Sequence, residues 1–268
     1  MSEQATTPEI DLSKPSIARV YDYVLGGKAH FEIDRRAANA FINIVPEAPL
    51  IARDNRNFLR RAVRHLVGEA GIRQIIDIGS GLPTAGNVHE LAQAIDPSVR
   101  VVYVDKDPIV LTHARALLGE NETTTVITAD LLDAAAVLDD PATRVLIDLD
   151  QPYAIFVAGI VHHLSDAQDP AGIVAALKAR LPVGGYLLLT HFLDDDEPRA
   201  RELEHAFING GLGTGRFRTW PELREYFTGL EMVEPGLVYA NEWHPDELTP
   251  ADSPVHTLYA GGVGRRVD

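Results

Sequence analysis

Short apolar runs alternate with stretches of helical period from residue 74 onward. QIIDIG (74–79), RVVYVD (100–105), TTVITAD (124–130), YAIFVAGI (153–160) and YLLLTHF (186–192) read as buried strands of five or six residues. Between them the pattern predicts a helix over Thr84–Ile95, ended by Asp96 and Pro97. It predicts another opening on Asp107 and Pro108 as N-cap and first-turn residue, and a third through IVAALKARL (173–181), ended at Pro182. Upstream, residues 15–70 read as helical: in RDNRNFLRRAVRHL (53–66) Leu59, Ala62, Val63 and Leu66 recur every three or four residues, and Val67 extends the stripe. The last third adds helices near Glu202–Phe207 and through PELREYF (221–227), then strands in EMVEPGLVYA (231–240) and HTLYAGG (256–262).

Strands separated by single helices indicate an α/β fold with a mainly parallel sheet and helices on both faces. The two closing strands have no helix between them, so a terminal hairpin with an antiparallel edge strand is expected. Residues 1–72 form an N-terminal helical segment, and residues 73–268 form the core domain.

Composition narrows the function classes. The chain has 268 residues, no cysteine and a formal charge of −15. Lack of cysteine removes disulfides, thiolate metal sites and cysteine nucleophiles together. The acidic balance opposes general nucleic-acid binding. No apolar run of spanning length occurs, and the opening MSEQATTPEIDLSKPS, a short polar tail, lacks the stretches of a signal peptide, so a cytoplasmic setting is expected. The histidines show no H-x-x-x-H spacing, and no metal site is expected.

The chemistry gathers at strand ends, where open α/β sheets bind ligands. The first strand ends in Asp77-Ile78-Gly79-Ser80-Gly81, a turn whose glycines let the backbone approach a ligand. The second ends in Asp105, followed by Lys106. A carboxylate there can accept both hydroxyls of a ribose. The third ends in Ala129-Asp130-Leu131, where Asp130 can take an exocyclic amine or cap a helix. Three such features at successive strand ends mark an adenosine site. A dinucleotide site wants G-x-G-x-x-G, but here Thr84 stands at the third glycine's place. Asp77 also puts negative charge where a pyrophosphate would lie, which suits a cationic ligand such as S-adenosylmethionine. A nicotinamide-dependent oxidoreductase and a non-catalytic S-adenosylmethionine-binding module stay open as alternatives.

DIGSGLPTAGNVHE, VVYVDKDPIVLTHARALL, TADLLD and the EPGLV strand resemble the class I S-adenosylmethionine-dependent methyltransferases. PSIARVYDYVLGGKAHFEIDRRAA and ARDNRNFLRRAVRHL resemble the N-terminal segment of a bacterial, actinomycete-type family of S-adenosyl methyltransferases whose substrate is not known. The resemblance implies a Rossmann-like seven-strand sheet with an antiparallel last strand. It implies S-adenosylmethionine as cofactor, with Asp77, Gly79, Ser80 and Gly81 near its methionine part, Asp105 and Lys106 at the ribose, Asp130 with Ala129 and Leu131 near adenine, and Ala158 beside it. The acceptor is then a small molecule.

In such a fold the segment after the fourth strand faces the transferable methyl. His162 and His163 are therefore candidates for substrate contact or proton removal, and His191 is a weaker one. Tyr21 and Tyr23, followed by Gly26-Gly27, suggest a lid with an aromatic acceptor wall; the competing reading is a packed helix with a glycine cap. Arg53, Arg56, Arg60 and Arg64 form a stripe that reads as a solvated face, an anchor for the cofactor carboxylate or a phosphate contact. The sequence leaves homo-oligomerisation open.

Overall fold

A computed structural model describes residues 11–83, 86–118 and 121–268. Its strands are β1 (Gln74–Ile78), β2 (Arg100–Asp105), β3 (Thr124–Thr128), β4 (Ala154–Ala158), β5 (Tyr186–Phe192), β6 (Glu231–Met232), β7 (Val238–Tyr239) and β8 (Tyr259–Arg265). Its helices are α1 (Ile17–Val24), α2 (Glu32–Ile42), α3 (Ala48–Val63), α4 (Val88–Gln93), α5 (Pro108–Leu118), α6 (Ala134–Asp139), α7 (Pro141–Leu146), α8 (Pro170–Ala179), α9 (Pro198–Asn209) and α10 (Trp220–Tyr226).

The sheet runs β3-β2-β1-β4-β5-β8-β6, with β7 also paired to β8. Strands β1 to β5 are parallel, and β8 is antiparallel to β5 over seven residue pairs, from Tyr186↔Arg265 to Phe192↔Tyr259. Alternation of side chains along the strands builds two cores. Ile75, Val101, Phe156 and Leu188 pack on one face with α2, α3 and α9. Ile76, Val102, Ile155 and Leu187 pack on the other with α6, α8 and α10. Burial on both faces is why these strands read as continuous apolar runs.

The reversed strand is not at the edge. β8 inserts between β5 and β6, and the predicted strand over 231–240 is two short pieces, β6 and β7, making eight strands. Pro235, without an N–H to give to a ladder, and Gly236 at φ +96° separate them. The helix expected over Thr84–Ile95 is shorter: Thr84 and Ala85 lie outside the described residues, Gly86 stands at φ +75°, and α4 starts only after Asn87. Here the Glu90 carboxylate accepts the Asn87 N–H at 2.8 Å in a capping box. The pattern also missed α6 and α7, which are two-turn helices capped by Asp133 and Asp140.

Helix α3 crosses from the cavity described below to the C-terminal loops. Buried Arg61 holds it there, donating Nε to the Trp243 carbonyl at 2.8 Å, Nη2 to the Ala240 carbonyl at 2.6 Å and Nη1 to Thr249 Oγ1 at 3.1 Å. Among the described residues no helix is long and apolar enough to cross a membrane.

Candidate functional site

A cavity of about 660 Å³ opens at the carboxyl ends of β1, β2, β3 and β4. Its base is the turn after β1. Gly79 stands at φ +73°, and a Cβ there would lie 2.7 Å from Ile160 Cγ1, so neither the backbone angle nor the space admits another residue. The Gly79 N–H donates to the Val104 carbonyl at 2.8 Å, and the Gly81 N–H donates to Asp105 Oδ2 at 2.9 Å. The turn and the acid after β2 are therefore one unit. Asp105 also receives the Asp107 N–H on Oδ1 at 2.9 Å, and burial raises its pKa. Ser80 Oγ is buried with no partner among the described residues, a polar atom left for a ligand to satisfy.

Two opposite charges stand at the cavity. Burial pushes the Asp77 carboxyl up to about 7, while the Arg56 guanidinium favours its ionised form and Asp105 opposes it. Both Asp77 and Arg56 line the cavity. The rest of the arginine stripe divides: Arg60 and Arg64 bind Asp246 at 2.7 and 3.2 Å, and Arg53 is exposed. Lys106 Nζ lies 3.5 Å from Asp130 Oδ2, and Asp130 Oδ1 accepts the Leu132 N–H at 3.1 Å. Asp133, not Asp130, caps α6. Ala129, Asp130, Leu131 and Ala158 all reach the lining.

Beyond Ala158 the wall changes character. His162 and His163 line it, with ring centroids 4.3 Å apart. His163 Nδ1 lies 2.5 Å from the Leu212 carbonyl and must donate to it, which leaves Nε2 with the lone pair. Burial lowers its pKa to about 4, and lowers that of His162 as well. His191 does not line the cavity; its ring is buried behind His162, with a pKa lowered by burial to about 3.

Residues of the N-terminal segment line this space. Of the stretch expected to be a short polar tail, Asp11, Lys14 and Ser16 line the cavity, and residues 1–10 lie outside the described residues. Arg19, 3% exposed, donates Nε to Asp34 at 2.9 Å and Nη2 to the Lys14 carbonyl at 3.0 Å, fixing the segment's path. Tyr21 reaches the lining, but Tyr23 does not: its ring meets His30 edge-on and its hydroxyl donates to Asn39 at 3.3 Å. Both tyrosines lie on α1, so two residues of separation turn them apart by more than half a helical turn. Gly26 ends α1 in the left-handed conformation, the glycine-cap arrangement.

Sequence reasoning overlooked a hydrogen-bonded chain at the cavity floor. Tyr21 Oη contacts the Ala52 carbonyl at 3.1 Å, Asn55 Nδ2 donates to Tyr21 Oη at 3.2 Å, and Thr190 Oγ1 lies 2.8 Å from Asn55 Oδ1 and 3.1 Å from Tyr259 Oη. A signal existed: Asn55 interrupts the apolar stripe Ile51–Leu59 at four-residue spacing, and Thr190 interrupts the run YLLLTHF.

The sheet order, with its reversed strand between β5 and the edge, and the glycine turn beside an acid on β2 are the arrangement that the resemblance to S-adenosylmethionine-dependent methyltransferases implied. The family described as S-adenosyl methyltransferase matches residues 3–267, and the chain belongs to it. S-adenosylmethionine is its cofactor, which decides for transfer over the oxidoreductase alternative. The chain is similar to a candidate methyltransferase from Thermobifida fusca, at 44% identity and TM-score 0.92 over 99% of this chain and 100% of that one. It is similar also to a protein of a domain family of unknown function from Streptomyces avermitilis, at 41% identity and TM-score 0.91 over 96% and 100%. Human N-acetylserotonin methyltransferase in complex with its cofactor shares the fold, at 15% identity and TM-score 0.51 over 92% of this chain and 62% of that one. No protein of curated function matches.

Proposed function

We propose that the enzyme methylates a small molecule held between the cofactor and the wall formed by β4, β5 and β8, in a bacterial cytoplasm. The observation that carries this reading is the joined turn Gly79-Ser80-Gly81 and Asp105, with Ser80 Oγ buried without a partner among the described residues. In this reading Asp105 accepts the ribose hydroxyls, Lys106 flanks them, and Ala129, Asp130 and Leu131 border the adenine. Asp77 and Arg56 meet the ammonium and carboxylate of the methionine part, and Ala158 borders the sulfonium. The cofactor supplies an activated methyl group.

The chain's task is then to hold the acceptor atom in line with that methyl and exclude water, which can contribute up to roughly 7–11 kcal/mol. His163, with Nδ1–H held by Leu212, presents a lone pair that can take the acceptor's proton. Residues 11–24 act as the lid, with Tyr21 in the acceptor wall. The similar proteins from Thermobifida and Streptomyces support the bacterial source.

A crystal structure with S-adenosylhomocysteine tests the assignment. Adenosine over the ends of β1 to β3, with the sulfur directed at Gly159–His163, is the expected result. A ligand elsewhere in the cavity, or reversed in it, overturns the assignment.

A further inference from the structure

The cavity divides by charge. Asp77, Asp105, Lys106, Asp107 and Asp130 stand at the ends of β1 to β3, and Arg56 is electrostatically coupled to Asp77. Over β4, β5 and β8 the wall is built of uncharged side chains, His162, His163, Phe192 and Tyr259, with Phe41 and Phe207 from α2 and α9, while Asp11, Lys14 and Arg19 of the N-terminal segment also line the cavity. Phe207 meets Phe41 edge-on at 4.9 Å and Phe192 edge-on at 5.3 Å, so the walls are ring faces and edges. None of these six wall side chains offers an opposite charge to a carboxylate, phosphate or ammonium, and burying such a group against them is costly.

In the chain Tyr21–Asn55–Thr190–Tyr259 each proton is assigned by its neighbours, whereas His162 Nδ1 is buried without a partner among the described residues. The Asn55 carbonyl oxygen can only accept, so Thr190 spends its single proton there, at 2.8 Å. The 3.1 Å contact between Thr190 and Tyr259 is then Tyr259 donating to Thr190 Oγ1. At the other end Asn55 Nδ2 donates to Tyr21, whose own proton goes to Ala52. Tyr259 Oη is left with lone pairs and no proton to offer a ligand. It lies in the cavity lining beside Gly159, the residue after β4: a Cβ added at Gly159, φ +72°, would come within 2.8 Å of Tyr259 Oη and 3.2 Å of Asn55 Nδ2.

We propose that this half of the cavity takes an uncharged, flat aromatic molecule whose O–H or N–H donates to Tyr259 Oη, making Tyr259 the residue that selects the methyl acceptor. The inference rests on the cofactor occupying the other half, as proposed above. A site built to receive a donor discriminates against analogues lacking it, because the tyrosine lone pair would be buried without a partner. Sequence reasoning had no access to this, since Tyr259, Thr190 and Asn55 come from β8, β5 and α3.

Four probes sharing one tolyl body separate the alternatives: para-cresol, para-toluate, para-methylbenzylamine and para-methylanisole, titrated by NMR with and without S-adenosylhomocysteine. Cresol binds at least tenfold more tightly than the anion, the cation and the ether. Tyr259→Phe raises the cresol dissociation constant about tenfold and leaves that of methylanisole unchanged. Thr190→Val releases the Tyr259 proton, so methylanisole gains on cresol. The proposal is overturned by equal or tighter binding of toluate or the amine, by no binding of any probe, or by equal losses for cresol and methylanisole in Tyr259→Phe. Should Tyr259→Phe not fold, an unchanged cresol-to-methylanisole ratio in Thr190→Val overturns it instead. Calorimetry of S-adenosylhomocysteine on the same samples keeps the two readings apart: its failure removes the cofactor assignment, while the headgroup order of the probes decides the acceptor.

Discussion

The Ser16 hydroxyl donates to the Asp107 carboxylate, two residues beyond Asp105 at the end of β2. This contact ties the segment ahead of α1 to the loop that also carries the proposed ribose acid. Ser16 further gives its N–H to Asp34 at 2.9 Å, so one residue joins the N-terminal segment, α2 and the loop after β2.

Hydrogen exchange therefore reports on this segment. Adding S-adenosylhomocysteine slows exchange across residues 14–24 as well as residues 77–81 and 105–107, since a ligand beneath the segment disfavours its opening. Slowing confined to residues 77–131 would show that the segment braces the fold without closing on the ligand.

Asp77 links pH to both stability and binding. Its carboxyl, 7% exposed, is raised to about 7, so between about pH 4 and 7 the folded protein holds a proton that the unfolded chain has lost. The stability this represents is present at low pH and is lost as pH rises through 7, by roughly 4 kcal/mol in total at 1.36 kcal/mol per unit. Asp77→Asn should raise the melting temperature of the ligand-free protein at pH 8 and not at pH 3.5, while weakening S-adenosylhomocysteine binding. Thermal melts at the two pH values check this. Equal effects at both would separate Asp77 from the titration.

The buried histidines behave oppositely. His163 and His191 have pKa values lowered by burial to about 4 and 3, so they stay neutral in the folded state near neutral pH. Their contribution to stability is lost as pH falls from 6.5 towards those values, because the unfolded chain takes up protons first. NMR titration should find neither ring charging above pH 5. A His163 midpoint between 6 and 7 would contradict its burial and the Leu212 bond.

Arg61 carries a different risk. It is 1% exposed, and three hydrogen bonds from it hold the segment 240–249 against α3. Arg61→Ala strands the Ala240 and Trp243 carbonyls, at about 1–3 kcal/mol each, and opens a hole beside Trp243. Denaturant unfolding measures it; a loss below 1 kcal/mol would mean that the loop stays in place without the arginine.

The sequence disclosed what lies along one strand or one helix. β1 to β5 were visible because burial on both faces makes them apolar throughout, and the glycine turn with Asp105 was visible because the turn directly follows β1 and Asp105 is the last residue of β2. The position of β8 was hidden, since insertion beside β5 depends on seven pairings far apart in the chain. Tyr23 was misplaced because adjacency in the sequence hid its direction on α1. Asn55, Thr190 and Tyr259 could not be joined for a related reason: 135 residues separate the first two and another 69 the last. Arg61 sat inside a run of arginines that gave no sign of which one turns inward.

The central claim is that the Asp105-anchored turn binds S-adenosylmethionine, and calorimetric titration with S-adenosylhomocysteine tests it most directly. The wild-type protein should bind one equivalent, more tightly than NAD, and a folded Asp105→Ala variant should lose at least tenfold in affinity, as expected for charge-assisted bonds of roughly 1.5–3 kcal/mol. Tighter binding of NAD, or an unchanged dissociation constant in the folded variant, would contradict the account.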